Sequence, residues 1–392
     1  MFNLRAIPLL LAVALLIGPA ATAVADTVHV ATRAELLAAV EKAQPGTTIL
    51  LAPGDYGSIA VSNLHGAEGR PITIAGADPD DPPRFVGGTT AFGLSNPRHV
   101  VLENLIAERA DVNSFNIDDG GTMEATASHI TLRNVVARDV QLRGNRDGIK
   151  LSGVTDFLVE NSTIERWGDG GQGIDMVGCH RGEIRNNVLR HDPGESYGTA
   201  ITAKGGSAEI LIIGNHFEDF GGRGVNIGGA TGKQFFRPQP PGHYEARDIT
   251  VTRNTFVRGD TAVAFVNIDG SEVAHNTIYM PRNWVFRILQ ETTDDGFVPS
   301  RNGVFANNLV VYDRSAMRRD VNVGPNTAPQ TFTFQGNWWY NIAAPNDSEP
   351  DLPAQETGGI YRGNPQLRDP DGGDYRPAPQ APTHDAGAHA GQ

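Results

Sequence analysis

The sequence predicts an all-β chain, a right-handed parallel β-helix solenoid with an N-terminal helical cap, and three observations carry that expectation. The first is a recurring phrase, an apolar and mostly β-branched stretch that runs into Asn and then two apolar residues. It reads Ile130-Thr-Leu-Arg-Asn134-Val-Val, and returns ending at Asn161, Asn187, Asn215, Asn254, Asn276, Asn308 and Asn337. The returns are 22 to 39 residues apart, the range in which self-similarity signals stacked units. The second is alternation: apolar and polar residues follow with period two, and Gly-Gly, Gly-Asp or Asp-Pro breaks each unit, which excludes helical repeats. The third is Asn itself, which tolerates left-handed backbone and bonds its own main chain at a tight corner. Stacked coil on coil, such side chains can form a ladder while Ile, Val, Leu and Phe fill a continuous core.

Taken in order, residues 1–25 read as a secretory signal peptide. Arg5 precedes an apolar run from Ile7 to Ile17, and Ala23-Val24-Ala25 forms a small-x-small cleavage site ahead of Asp26. The run is too short to span a bilayer, and no second long apolar run follows, so an exported chain without a membrane span, periplasmic or secreted, is expected. Thr32 and Glu35 then form a capping box for an amphipathic helix. Pro45-Gly46 leads into the strand Thr48-Ile-Leu-Leu-Ala. A helix there would cover the open end of the solenoid, whose unpaired edges otherwise invite association. One β-helix domain is expected over 26–385, as a monomer, with 386–392 as a disordered tail.

Composition narrows the function. The formal net charge is −13, and without a basic stripe a nucleic-acid partner is excluded. Acidic groups could still hold a cation that receives an anionic sugar. The single cysteine, Cys179, permits no internal disulfide and reads as a buried spectator thiol. His180 and His191 read as solvated loop histidines. No Cys/His cluster has zinc spacing, and no Gly-rich phosphate loop opens a helix.

Counting back from the Asn corners stacks the coils. In Gly-Ile149-Lys150-Leu151, Gly-Ile174-Asp175-Met176, Ala-Ile201-Thr202-Ala203-Lys204 and Gly-Val225-Asn226-Ile227 the apolar residues take the inward places. Lys150, Asp175, Thr202, Lys204 and Asn226 therefore point outward from one sheet on consecutive coils, about 4.8 Å apart. Asp118 is expected to extend this column one coil earlier and Arg287 at the other end. Only four of the 32 basic residues are lysines, and two of them fall in this column. Lys can lose its proton where Arg effectively cannot, so a base that removes a carbon-bound proton fits Lys204, with Lys150 as the alternative. The plainer reading is that both lysines salt-bridge Asp147 and Asp175 on a solvated face. Asp118, Asp147, Asp169 and Asp175 could instead supply the carboxylate pair of an inverting hydrolase. Three insertions, 191–197, 230–247 and 290–301, should stand beside the column, since solenoid insertions gather on the binding face. Their aromatic and polar groups, Phe235, Phe236, Arg237 and Tyr244, together with Trp284, Thr202 and Asn226, are candidate sugar contacts, although Phe235 and Phe236 could simply pin a loop.

On these motifs the chain resembles the pectin-lyase-like superfamily of secreted β-helices. The segment from Val30-Ala-Thr-Arg-Ala-Glu-Leu through Gly54-Asp55-Tyr56 and Arg70-Pro71-Ile-Thr-Ile resembles the alginate lyase and chondroitinase B family. The close, Asn364-Pro through Gly373-Asp374-Tyr375-Arg376-Pro, is similar to that of exported β-helix repeat proteins. The resemblance implies a polysaccharide lyase acting on a uronate-containing, anionic glycan, with a lysine base, an assisting arginine one coil later, and calcium binding the uronate. Ile201-Thr-Ala-Lys204 before Gly214-Asn215 matches the lysine's setting. The arginine position holds Ile227, so Arg223 or Arg287 would take that role. Asp118, Asp147 and Asp175 would hold the calcium, and Gly173-Ile-Asp175 beside Lys150 is also similar to the pectate lyase group. A paired-Asp glycoside hydrolase and a non-catalytic glycan-binding surface protein are the alternatives.

Overall fold

The computed structural model describes residues 26–123, 126–195, 197–239, 241–381 and 386–389. Residues 1–25, expected to direct export, lie outside the described residues. Among the described residues, successive turns of the chain stack their strands into three parallel sheets, of 13, 11 and 10 strands. Successive strands pair in register, so one apolar column runs Phe115, Ile149, Ile174, Ile201, Val225, Val263 and Phe286 along the interior of the ten-stranded sheet. The expected inward residues Ile130, Val159, Ile174, Ile201, Val225 and Val263 are all buried. The chain is a right-handed parallel β-helix.

The corner ladder is real and is built from side-chain amides. Asn187, Asn215, Asn254, Asn276, Asn308 and Asn337 are buried, and each Nδ2 but the last donates to the next Oδ1 at 2.9 or 3.0 Å. Asn337 closes the ladder on Glu356 Oε1 at 2.7 Å. Each amide also satisfies main-chain groups, so a corner that would strand buried donors is fully paired. Two members of the expected ladder stand elsewhere. Asn134 and Asn161 sit one residue earlier, in left-handed backbone at φ 50° and 52°. The ladder positions of those coils are Val135 and Ser162, whose Oγ accepts the Val135 N–H while its own N–H donates to Asn187 Oδ1. Asn serves two adjacent corner places, the left-handed one at Asn134, Asn161, Asn186 and Asn307 and the ladder one from Asn187 onward.

The ends are closed as predicted at one side and differently at the other. The helix Arg33–Lys42 has its capping box, with Glu35 N donating to Thr32 Oγ1 and Thr32 N to Glu35 Oε2, each 3.2 Å, and buries Leu36. At the other end the tail boundary drawn at 385 falls short. Ala386 and Ala388 are buried, Gly387 N donates to Asn307 O at 2.9 Å, and Ala388 N donates to Thr277 Oγ1 at 3.0 Å. Small residues let this segment lie flat against the coil, which composition alone does not reveal.

Candidate active site

The ten-stranded sheet presents one outward column, read coil by coil as Asn116, Lys150, Asp175, Thr202, Asn226, Ala264, Arg287 and Asn322. Arg287 therefore extends it, as expected. Asp118 does not: it pairs with Ser152 in the neighbouring column, and Asn116 holds the place assigned to it. The insertion between the coils hides this two-residue offset. Lys204 also stands in the neighbouring column, beside Val177, yet its side chain leans back to the first.

The two lysines converge on one carboxylate. Lys150 Nζ bonds Asp175 Oδ2 in a very short contact and lies 3.8 Å from Asp147 Oδ2, while Lys204 Nζ lies 3.2 Å from Asp175 Oδ1. Asp175 is wholly buried, and both lysine side chains are one-fifth exposed. Gln172, turned with its amide nitrogen inward, reaches Asp147 Oδ1 at 3.2 Å and Asp175 Oδ2 at 3.1 Å. Burial works to lower the Lys150 pKa, but Asp175 and Asp147 outweigh it and hold the ammonium above the ordinary lysine value. Lys150 is a fixed cation. Burial, then repulsion from Asp175, raises the Asp147 carboxyl to about 6.

That shift has a sign. Unfolded Asp147 loses its proton near 3.8 and folded Asp147 near 6, so between these values the folded state binds more protons and stability falls as pH rises. The full cost, on the order of 3 kcal/mol, is present above the upper value. Asp147→Asn mimics the protonated acid. It is expected to be more stable than the parent at pH 8 and no more stable at pH 4, read as urea midpoints. Parallel curves for the two proteins would show that Asp147 is not the group.

The donors present do not fit calcium. Asp175 faces two ammonium groups, and Asp118 is engaged in the next column by Ser95 Oγ and Asn116 Nδ2 at 2.8 Å each and by Gly120 N at 2.9 Å. Among the described residues no three His, Cys, Asp or Glu side chains gather in a way that could hold a metal ion. The carboxylate-pair hydrolase fares no better, because Asp147 and Asp175 are buried under the lysines and Asp169 accepts Gly144 N at 2.7 Å on an exposed turn.

Beyond the lysines, Arg223 Nη1 donates to Asn226 Oδ1 at 2.8 Å, and its Nη2 to Glu291 Oε1 at 2.6 Å. Thr202 and Asn226 are nearly covered and form the floor. Segments 230–247 and 290–301 pack together as a wall. Phe236 is buried against Phe297, with ring centroids 5.7 Å apart, and Lys233 pairs with Asp294 at 3.0 Å. Arg237 is buried too, its Nε 2.6 Å from Asp119 Oδ2 and its Nη2 3.0 Å from Oδ1. Phe236 and Arg237 are therefore anchors and not sugar contacts. Gly153 and Gly178 make the anchor possible, since a Cβ at either would come within 2.7 Å of the Arg237 side chain. Phe235 remains half exposed on the wall, and Tyr244 is half-buried with Arg247 over its ring at 5.2 Å.

Two sequence readings of neighbouring groups divide. His191 is not a solvated loop residue: it is buried between Trp167 and Tyr197, with centroids 4.0 and 4.4 Å away, and burial drives its pKa down to about 4. Cys179 is the buried spectator expected, its thiol pushed up to about 12 by burial. The groups that sequence reasoning missed are Gln172, Asp119 and Glu291.

Comparison with known proteins agrees on the fold. Residues 120–283 match the family model described as the right handed beta helix region. A polysaccharide lyase of the PL6 family from Pseudopedobacter saltans superposes with a TM-score of 0.52 at 14% identity, over 92% of this chain and 99% of the other. An alginate lyase from Paenibacillus sp. str. FPU-7 does so with a TM-score of 0.50 at 16% identity, over 76% of this chain and 98% of the other. No curated protein sequence matches the chain.

Proposed function

We propose that this right-handed parallel β-helix is an exported polysaccharide lyase that cleaves a uronate-containing glycan by β-elimination. One observation carries the reading: two of the chain's four lysines sit on a single buried carboxylate, one-fifth exposed, on the open face of the solenoid. Structural likeness to two polysaccharide lyases supports it at the level of fold.

Lys204, once its ammonium has passed a proton to solvent, takes the proton from the carbon next to the uronate carboxylate. The electron pair of that C–H bond forms the new C=C bond, and the glycosidic C–O bond breaks. The departing oxygen takes a proton from water, and the hydroxide so formed is neutralised by the proton Lys204 first gave to solvent, so that Lys204 ends as the ammonium it began as. Charge that develops on the carboxylate during this step is met by Lys150, held cationic by Asp175 and Asp147, and by Arg223 on the next coil. These groups take the place of the calcium that the family resemblance implies. Asp175 orients both lysines, since one oxygen faces each.

The test is incubation with alginate, pectate and glycosaminoglycans while absorbance of the unsaturated product is recorded. A rise on at least one uronate polymer is expected. Reducing ends released without that absorbance would favour hydrolysis, and binding without either product would favour a non-catalytic glycan receptor.

A further inference from the structure

A second cluster stands on the same face, three coils beyond Lys204 and hence ~14 Å along the sheet. Trp284 is half-buried, with the Arg287 guanidinium 4.4 Å and the Arg318 guanidinium 5.6 Å from its ring centroid. Beside them opens a cavity of about 380 Å³ lined by Trp284, Arg318, Arg319, Asn322 and Asp351, among others. Arg287 Nε donates to Asn322 Oδ1 at 2.9 Å.

The charges here are only partly balanced, by Asp260 near Arg318 and Glu291 near Arg287. Among the described residues Arg287, Arg318 and Arg319 form no salt bridge, and Asp320, the acid next in sequence, is taken by Arg314 at 2.8 Å. Asp351 is the single acid of the lining. Burial and the nearby Arg223 weaken the hold of Arg287 on its proton, and Glu291 only partly offsets them. Guanidinium groups match carboxylates in fork geometry, and an indole face suits a sugar ring. Between this cluster and the lysines the column passes Asn226 and the small Ala264, both covered, and Arg223, bonded to Asn226 and Glu291, bridges the stretch along which an extended anionic chain would lie.

We propose that Trp284, Arg287, Arg318 and Arg319 form a remote subsite for a carboxylate-bearing sugar of the same polymer whose reacting residue lies at Lys150 and Lys204. The inference rests on the lyase reading and adds direction: the glycan runs along the solenoid axis, toward the C-terminal coils. It also assigns the substrate class more narrowly, since anionic groups must recur several sugars away from the cut.

Tryptophan fluorescence reads this site directly, because Trp167, Trp338 and Trp339 are buried and Trp284 is not. The probes are hexamannuronate, hexagalacturonate and, as a neutral control, cellohexaose, titrated at low salt into the parent and an R318Q/R319Q variant. At least one anionic hexamer should quench the parent and bind the variant about tenfold more weakly or worse, as expected when charged hydrogen-bond partners are lost. Cellohexaose should not distinguish the two proteins. Equal affinity of parent and variant for the anionic hexamers, or no binding to the parent, would overturn the subsite. Arginine-dependent binding with no elimination on any uronate polymer would instead sink the lyase reading and leave the subsite standing.

Discussion

Lys204→Arg is expected to abolish elimination, with turnover falling about 10²–10⁴-fold, the usual loss when a general base is removed. Arginine keeps the positive charge and can still pair with Asp175, so the fold and the local electrostatics survive. It cannot accept the proton. Lys150→Arg should behave differently, because Lys150 acts as a cation held on by Asp175 and Asp147. Its main effect should be on KM. The contrast is read as kcat and KM on the polymer, with circular dichroism to confirm folding. Near-parental turnover in Lys204→Arg with a dead Lys150→Arg would exchange the two roles. Activity in both variants would end the lysine-base mechanism.

Much of this site was legible in the sequence because a solenoid turns spacing into geometry. Period-two alternation placed Ile149, Ile174, Ile201 and Val225 inward, so Lys150, Asp175, Thr202 and Asn226 had to face out. Register between adjacent coils then followed from distance to the corner. The same arithmetic failed where coils differ in length, which is why Asp118 was assigned to the wrong column. It also could not resolve which of two adjacent corner residues carries the ladder, as Asn134 and Asn161 show. Contacts made across several coils were invisible. Arg237 lies 118 positions from Asp119, and no periodicity links them. Phe236 and Arg237 read as sugar contacts because an aromatic and a cation in an inserted loop have that composition, whereas burial decides otherwise. The cationic cluster at Trp284 was half seen: Trp284 and Arg287 belong to a strand, but Arg318 and Arg319 come from a turn whose position only the folded coil fixes.

The wall beside the lysines depends on one buried ion pair, and breaking it should have the second large effect. Asp119 and Arg237 are both nearly inaccessible, joined by two hydrogen bonds. Removing one partner of such a pair leaves an uncompensated buried charge, at a cost of roughly 3–5 kcal/mol. The chain need not bear that cost globally. Segment 230–247 is an insertion on a stacked core, and it can lift away once opening costs less than keeping Arg237 buried. Asp119→Ala should therefore leave the main unfolding transition nearly in place while amide exchange in 230–247 accelerates by about two orders of magnitude, the factor equivalent to the lower end of that cost. Catalysis should fall with it, because Glu291, which holds Arg223, lies on the partner segment of the wall. The double variant Asp119→Leu, Arg237→Met removes both charges and fills the space with apolar atoms, a replacement that is often neutral or better. It should restore slow exchange. If Asp119→Ala leaves exchange in 230–247 unchanged, the pair does not hold the wall. If the double variant exchanges as fast as the single one, the bidentate geometry rather than the uncompensated charge governs the loop.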